Sequence, residues 1–120
     1  MGIRVFHCDD SEAFTRLVAF WLAEHDDIDY AGAAHTAEAA LRTLETVDAD
    51  VILLDTLGKP GDDTLLHAIR EVAPHAKVIV YSGYVNLMHE GALGESADAY
   101  LEKADDEGPL IEAIHAVVAI

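Results

Sequence analysis

Val51-Ile52-Leu53-Leu54 runs through four apolar residues and stops on Asp55. A strand with one wet face alternates apolar and polar residues. A short, unbroken, β-branched-rich run instead reads as a strand covered on both faces, which is the habit of parallel sheets. Val78-Ile79-Val80-Tyr81 has the same form. Outward from these two, apolar runs recur at Ile3–Cys8, Ile28–Ala34 and Ala99–Leu101. The segments between them follow helical spacing: Phe14, Leu17, Val18, Trp21 and Leu22; then Ala37, Ala40, Leu41 and Leu44; then Leu65, Leu66, Ile69 and Val72; then Leu110, Ile111, Ile114, Val117 and Val118. Tyr84–Leu93 is a weaker helical pattern, with Val85, Met88 and Ala92 on one face.

Start signals agree with these elements. Ser11 and Thr36 stand where N-caps are needed, and Asp105-Asp106-Glu107 ahead of Pro109 suits a helix N-terminus. The order is βαβαβαβαβα, which predicts an α/β fold with a doubly wound, five-stranded parallel sheet and helices on both faces. The 120 residues, 52% of them apolar, suffice for one core and are too few for two, so residues 1–120 are expected to form a single domain. No internal repeat or low-complexity tract interrupts them.

Composition narrows the function. Seven Lys+Arg against 23 Asp+Glu give a net charge of −16. Nucleic acid would repel this domain, and so would an anionic membrane surface. The surplus is expected to form a solvated face suited to a salty cytoplasm or a basic partner. The single cysteine, Cys8, cannot form an internal disulfide and reads as a small buried hydrophobe. No segment reaches the ~18 apolar residues of a membrane span, and Met1-Gly2-Ile3-Arg4 lacks a signal-peptide pattern. A cytoplasmic protein is expected. The seven histidines contain no HxxxH or HxH pair, so no transition-metal site is predicted, and His7 is placed in the core or at its rim.

In a doubly wound sheet, chemistry collects at the carboxyl ends of the strands. Asp9 and Asp10 follow the first strand, Asp55 the third, Ser82 the fourth and Lys103 the fifth. Taken singly, each has a plainer reading. Asp9-Asp10 could cap a helix, Asp55 and Ser82-Gly83 could be turn residues, and Lys103 could be a snorkelling surface lysine. Together, three close carboxylates repel unless a cation joins them, and all-oxygen ligation suits Mg²⁺. A carboxylate, a metal, an ammonium and a hydroxyl are the parts needed for phosphoryl transfer to an aspartate.

Cys8-Asp9-Asp10, Val51-Ile52-Leu53-Leu54-Asp55, Val80-Tyr81-Ser82-Gly83-Tyr84 and Tyr100-Leu101-Glu102-Lys103, in that order, resemble a response-regulator receiver domain, the CheY-like module of two-component signalling. The resemblance spans essentially the whole chain, and Lys103-Ala104-Asp105 is similar to the receivers of LuxR/NarL-type regulators. It implies a flavodoxin-like (βα)5 fold with strand order 2-1-3-4-5. It implies that Asp55 is the phosphoacceptor, that Asp9, Asp10, Asp55 and the main-chain carbonyl of Leu57 hold Mg²⁺, and that Ser82 and Lys103 contact the phosphoryl group. Tyr100 would be the aromatic that turns on switching. The donor would be a sensor histidine kinase or a phosphotransfer protein. The readout would be a homodimer, a partner or an output domain, and no helix-turn-helix follows within these 120 residues. Such a domain assists its own phosphorylation and hydrolysis without turning over a separate substrate.

Two departures from the family pattern stand out. The loop after the phosphoacceptor reads Thr56-Leu57-Gly58-Lys59-Pro60-Gly61-Asp62-Asp63 and lacks the usual Met-Pro and Asp-Gly pairs. Ala104 replaces the proline that often follows the lysine, and a non-proline cis bond costs ~2.5–4 kcal/mol, so a trans bond is expected. Three other readings compete. A degenerate receiver would use the same surface without phosphorylation. A small aspartyl-phosphate phosphohydrolase of the haloacid-dehalogenase type wants a second Asp where Leu57 stands. A flavodoxin-like cofactor carrier wants a phosphate-cradling loop where Asp9-Asp10 stands.

Overall fold

The computed structural model describes residues 2–55, 64–83 and 97–119. The elements run β1 (Ile3–Cys8), α1 (Glu12–Ala23), β2 (Ile28–Ala34), α2 (Ala37–Leu44), β3 (Val51–Leu54), α3 (Thr64–Val72), β4 (Lys77–Ser82), β5 (Ala99–Glu102) and α4 (Gly108–Val118). All strands are parallel, in one sheet ordered β2-β1-β3-β4-β5. The strand order is the one that the resemblance implies. The helical pattern at Tyr84–Leu93 and the Gly58–Gly61 loop with Leu57 lie outside the described residues. Among the described residues, no helix is long and apolar enough to cross a membrane.

The runs Val51–Leu54 of β3 and Val78–Tyr81 of β4 are unbroken and apolar because both faces of the sheet are covered there. Alternation divides them. Val51 and Leu53 join Val5, Ile79 and Tyr81 in one cluster, closed by Val18, Trp21 and Leu22 of α1 and by Leu110, Ile114 and Val117 of α4. Ile52 and Leu54 join Phe6, Cys8, Val78 and Val80 in the other, closed by Ala40 and Leu44 of α2 and by Leu66 and Ile69 of α3. Successive side chains on a strand point to opposite faces, so the parity of the residue number predicts its face on β1, β3, β4 and β5.

That parity carries past the strand ends. Asp9 N donates to Ala34 O (3.0 Å), Asp55 N to Cys8 O (2.9 Å) and Lys103 N to Ser82 O (3.1 Å), continuing the ladder by one residue on three strands. β4 and β5 are also longer than their apolar runs, because Lys77 N bonds Asp50 O and Ser82 pairs with Glu102.

Two helix starts follow the sequence reading. The Ser11 hydroxyl accepts from Phe14 N and the Thr36 hydroxyl from Ala39 N. The third also falls where Asp105-Asp106-Glu107 ahead of Pro109 predicts it. Glu107 occupies the N-cap of α4 without a side-chain hydrogen bond, and Asp106 instead accepts from Gly108 N at 3.1 Å, with Pro109 in the first turn. The Lys103–Ala104 bond is trans.

Ile52 is fully buried at the centre of the sheet. Ile52→Ala should lower unfolding free energy by about 2–5 kcal/mol, read from urea denaturation, through lost transfer energy and the cavity left behind. A loss below about 1 kcal/mol would contradict this packing.

Candidate functional site at the carboxyl ends of the strands

Parity selects the groups that meet. His7 and Asp9 follow Val5 on β1, Asp55 follows Leu53 on β3, and Lys103 follows Leu101 on β5, all toward the α1/α4 side. Lys103 Nζ lies 2.7 Å from Asp9 Oδ2 and 3.6 Å from Asp55 Oδ2. Its Nζ lies over the ring of Phe14, 4.7 Å from the centroid, so the ammonium is held by an aromatic face as well as by two carboxylates.

Asp9 is fully buried and Asp55 is 6% exposed, whereas Asp10 is exposed. The two oxygens of Asp9 do different work. Oδ1 accepts from Ser11 N at 2.9 Å and shapes the turn into α1. Oδ2 faces the site, touching Lys103 and, at 3.5 Å, His7 Nε2, with no well-formed hydrogen bond among the described residues. Helix capping and site formation are therefore both present in this segment, but the cap itself is Ser11.

Burial alone would raise the Asp9 carboxyl. The polar contacts from His7 and Lys103, the Ser11 amide and the Lys103 charge outweigh it and hold the group down at about 2. The same carboxylates act on their neighbours in the opposite sense. Burial, then the charges of Asp9, Asp55 and Asp10, push the Cys8 thiol up to about 12, so it is a packing residue without thiolate chemistry. Burial and Asp9 likewise raise the Tyr81 phenol to about 12.

Ser82 is fully buried at the end of β4, and its carbonyl anchors the Lys103 amide. Tyr100 lies on the opposite parity. It is half-buried against the α2/α3 cluster, and its hydroxyl accepts from Ala97 N at 3.4 Å. Leu57 lies outside the described residues.

The chain matches the response regulator receiver domain over residues 5–115. It belongs to that family. Among curated relatives, it is 26% identical over 117 residues to the response regulator protein VraR of Staphylococcus saprophyticus, covering 95% of this chain and 56% of that protein. It is 35% identical over 98 residues to the nitrate/nitrite response regulator protein NarL of Escherichia coli, covering 78% of this chain and 44% of that protein. The chain thus spans about half the length of the curated relatives it matches. Among solved structures, the response regulator TrrA of Thermotoga maritima, in complex with Mg²⁺ and BeF, superposes with a TM-score of 0.80 at 25% identity, over 98% of this chain and 99% of that one. RcsB of Salmonella typhimurium shares the fold, with a TM-score of 0.84 at 21% identity over 98% of this chain and 59% of that one.

Receiver domains bind Mg²⁺ in an acidic pocket, and this receiver's residues fit a hard divalent cation. Asp9, Asp10 and Asp55 each offer an oxygen, all within 4.8 Å of one another. Asp9 Oδ2 is a buried oxygen without a well-formed hydrogen bond, and one ammonium shared by the buried Asp9 and Asp55 leaves negative charge over.

Sequence reading placed His7 in the core or at its rim but missed its contact with Asp9, and it took Phe14 only as a helix-face residue. The signal was available: His7 and Asp9 are two apart on one strand and share a face.

The lowered Asp9 carboxyl has a consequence for the metal-free receiver. A group whose folded value lies below its unfolded one contributes stability above about pH 4, lost as pH falls toward about 2. In chelator, wild type should lose roughly 2 kcal/mol more than Asp9→Asn between about pH 5 and pH 2, measured by denaturant unfolding. Equal losses would contradict the assignment.

Proposed function

We propose that this receiver is a phosphoacceptor switch. Asp55 takes a phosphoryl group from the phosphohistidine of a sensor histidine kinase or phosphotransfer protein. The observation that carries the reading is the pairing of a near-buried Asp55, at the end of a central strand, with an ammonium already held by Asp9. Residues 1–120 would act as one receiver unit.

In the reaction, an Asp55 carboxylate oxygen attacks phosphorus. The phosphorus–nitrogen bond of the donor breaks, and its electron pair stays on the departing imidazole. Lys103 offers an ammonium to the phosphoryl oxygens, and a charge-assisted hydrogen bond of this type contributes about 1.5–3 kcal/mol. Ser82 offers a hydroxyl from the neighbouring strand. Asp9, Asp10 and Asp55, with the main-chain carbonyl of Leu57, would hold Mg²⁺. When bound, the ion neutralises charge on the phosphoryl oxygens. A rigid buried strand fixes the nucleophile's position, so little ordering remains for the transfer itself. The domain aids its own phosphorylation and hydrolysis without processing a separate substrate.

The acyl phosphate then biases a two-state equilibrium. Lys103 turning from Asp9 toward the phosphoryl group would pull on β5, where Tyr100 sits three residues earlier and would change its packing. A second copy, a partner or an output domain would read that change. The Mg²⁺ and BeF bound by the TrrA structure support the phosphoacceptor reading over the flavodoxin-like and phosphohydrolase ones.

Wild-type protein with Mg²⁺ and acetyl phosphate should gain one phosphoryl group, labile to hydroxylamine and base, by intact mass. Asp55→Asn should gain none. Labelled Asp55→Asn would move the acceptor elsewhere, and unmodified wild type that still binds Mg²⁺ would favour a degenerate receiver.

A further inference from the structure

His7 has no task in the reaction above, yet it is fully buried beside it. Its ring packs edge-on to Phe14 at 5.9 Å and lies 6.2 Å from Tyr81. Among the described residues, neither ring nitrogen has a hydrogen-bond partner. A buried polar group left in that state is costly, and an apolar side chain would serve the core better. The polar atom beside it is Asp9 Oδ2, 3.5 Å from Nε2, itself buried and without a well-formed hydrogen bond.

Lys103 explains why Asp9 needs a second neighbour. The ammonium touches Asp9 at 2.7 Å and reaches toward Asp55 at 3.6 Å. Once Asp55 carries a phosphoryl group, the same cation is drawn to it, and Asp9 Oδ2 gives up its principal contact. We infer that His7 is a positioning residue for Asp9: it donates Nε2–H to Oδ2 and keeps that carboxylate directed at the metal while Lys103 serves the phosphoryl group. A neutral imidazole suffices, and a shift of about half an ångström brings the pair into hydrogen-bond range. The inference rests on the phosphoacceptor reading of Asp55.

The test compares His7→Leu, which keeps similar volume without a donor, with His7→Gln, whose amide nitrogen can take the place of Nε2. Mg²⁺ affinity is measured by calorimetry and thermal stability in chelator. His7→Leu should be as stable as wild type or more so, yet bind Mg²⁺ about tenfold more weakly, and its phosphorylated form should lose Mg²⁺ affinity further. His7→Gln should recover most of the affinity. A packing residue would not separate stability from affinity in this way. Unchanged Mg²⁺ affinity in His7→Leu would overturn the role, as would weaker binding that His7→Gln fails to restore. If His7→Leu does not fold, His7→Met replaces it, and failure of both to fold makes His7 a packing residue. Wild type that takes no phosphoryl group from acetyl phosphate would sink the Asp55 reading instead. Wild type that takes one, beside a His7→Leu variant with normal Mg²⁺ affinity, would sink only the role of His7.

Discussion

Lys103 Nζ stands 2.7 Å from Asp9 and 3.6 Å from Asp55, and the carboxyl end of the sheet is organised around that contact. Two carboxylates almost without solvent would repel each other and drive one proton onto the pair. The ammonium prevents this at the Asp9 end, where the acid is held at about 2. Ion pairs of this kind are poor sources of net stability, because desolvation consumes much of the Coulombic gain. Their value here is that the charge is mobile. A long flexible side chain whose ammonium sits over the Phe14 face can exchange one anionic neighbour for another.

The arrangement depends on strand parity. Asp9, Asp55 and Lys103 are each one residue past a strand, and each extends the ladder by one main-chain hydrogen bond. A one-residue slip in any of these strands would turn its functional side chain to the other face. The apolar runs that build the core are thus also the device that aims the site. Tyr100, of the opposite parity, packs on the α2/α3 side, so under the proposed switch a change at Lys103 would reach Tyr100 through β5 itself.

Much of this was legible before any coordinates. Ile3–Cys8, Ile28–Ala34 and Val51–Leu54 coincide with their strands, because unbroken apolar runs between polar boundaries leave little choice of ends. Ser11 and Thr36 cap as their types predict. Ladder bonds beyond the apolar run were not legible, since Lys77 and Ser82 are polar residues recruited by neighbouring strands. The α4 start was legible from Asp105-Asp106-Glu107 ahead of Pro109, but not which of the three acids, Asp106, would bond the first amide. At the site, the acids, the serine and the lysine could be named from their places after each strand. His7 and Phe14 could not, because a histidine in a strand and a phenylalanine on a helix face read first as packing. The His7–Asp9 contact follows from their shared face on β1 once that face is seen to be buried, whereas the Phe14–Lys103 contact arises only when α1 and β5 converge.

The most direct test of this account is an amide NMR comparison of wild-type protein in Mg²⁺ alone, beryllofluoride alone and both together. If Asp55 is the acceptor and Lys103 exchanges partners, both reagents together should produce large shifts at Asp9, Asp55, Ser82 and Lys103 that extend along β5 to Tyr100, while beryllofluoride alone produces none. Shifts that are absent with both reagents, or that fall away from the carboxyl ends of β1, β3 and β5, would contradict it.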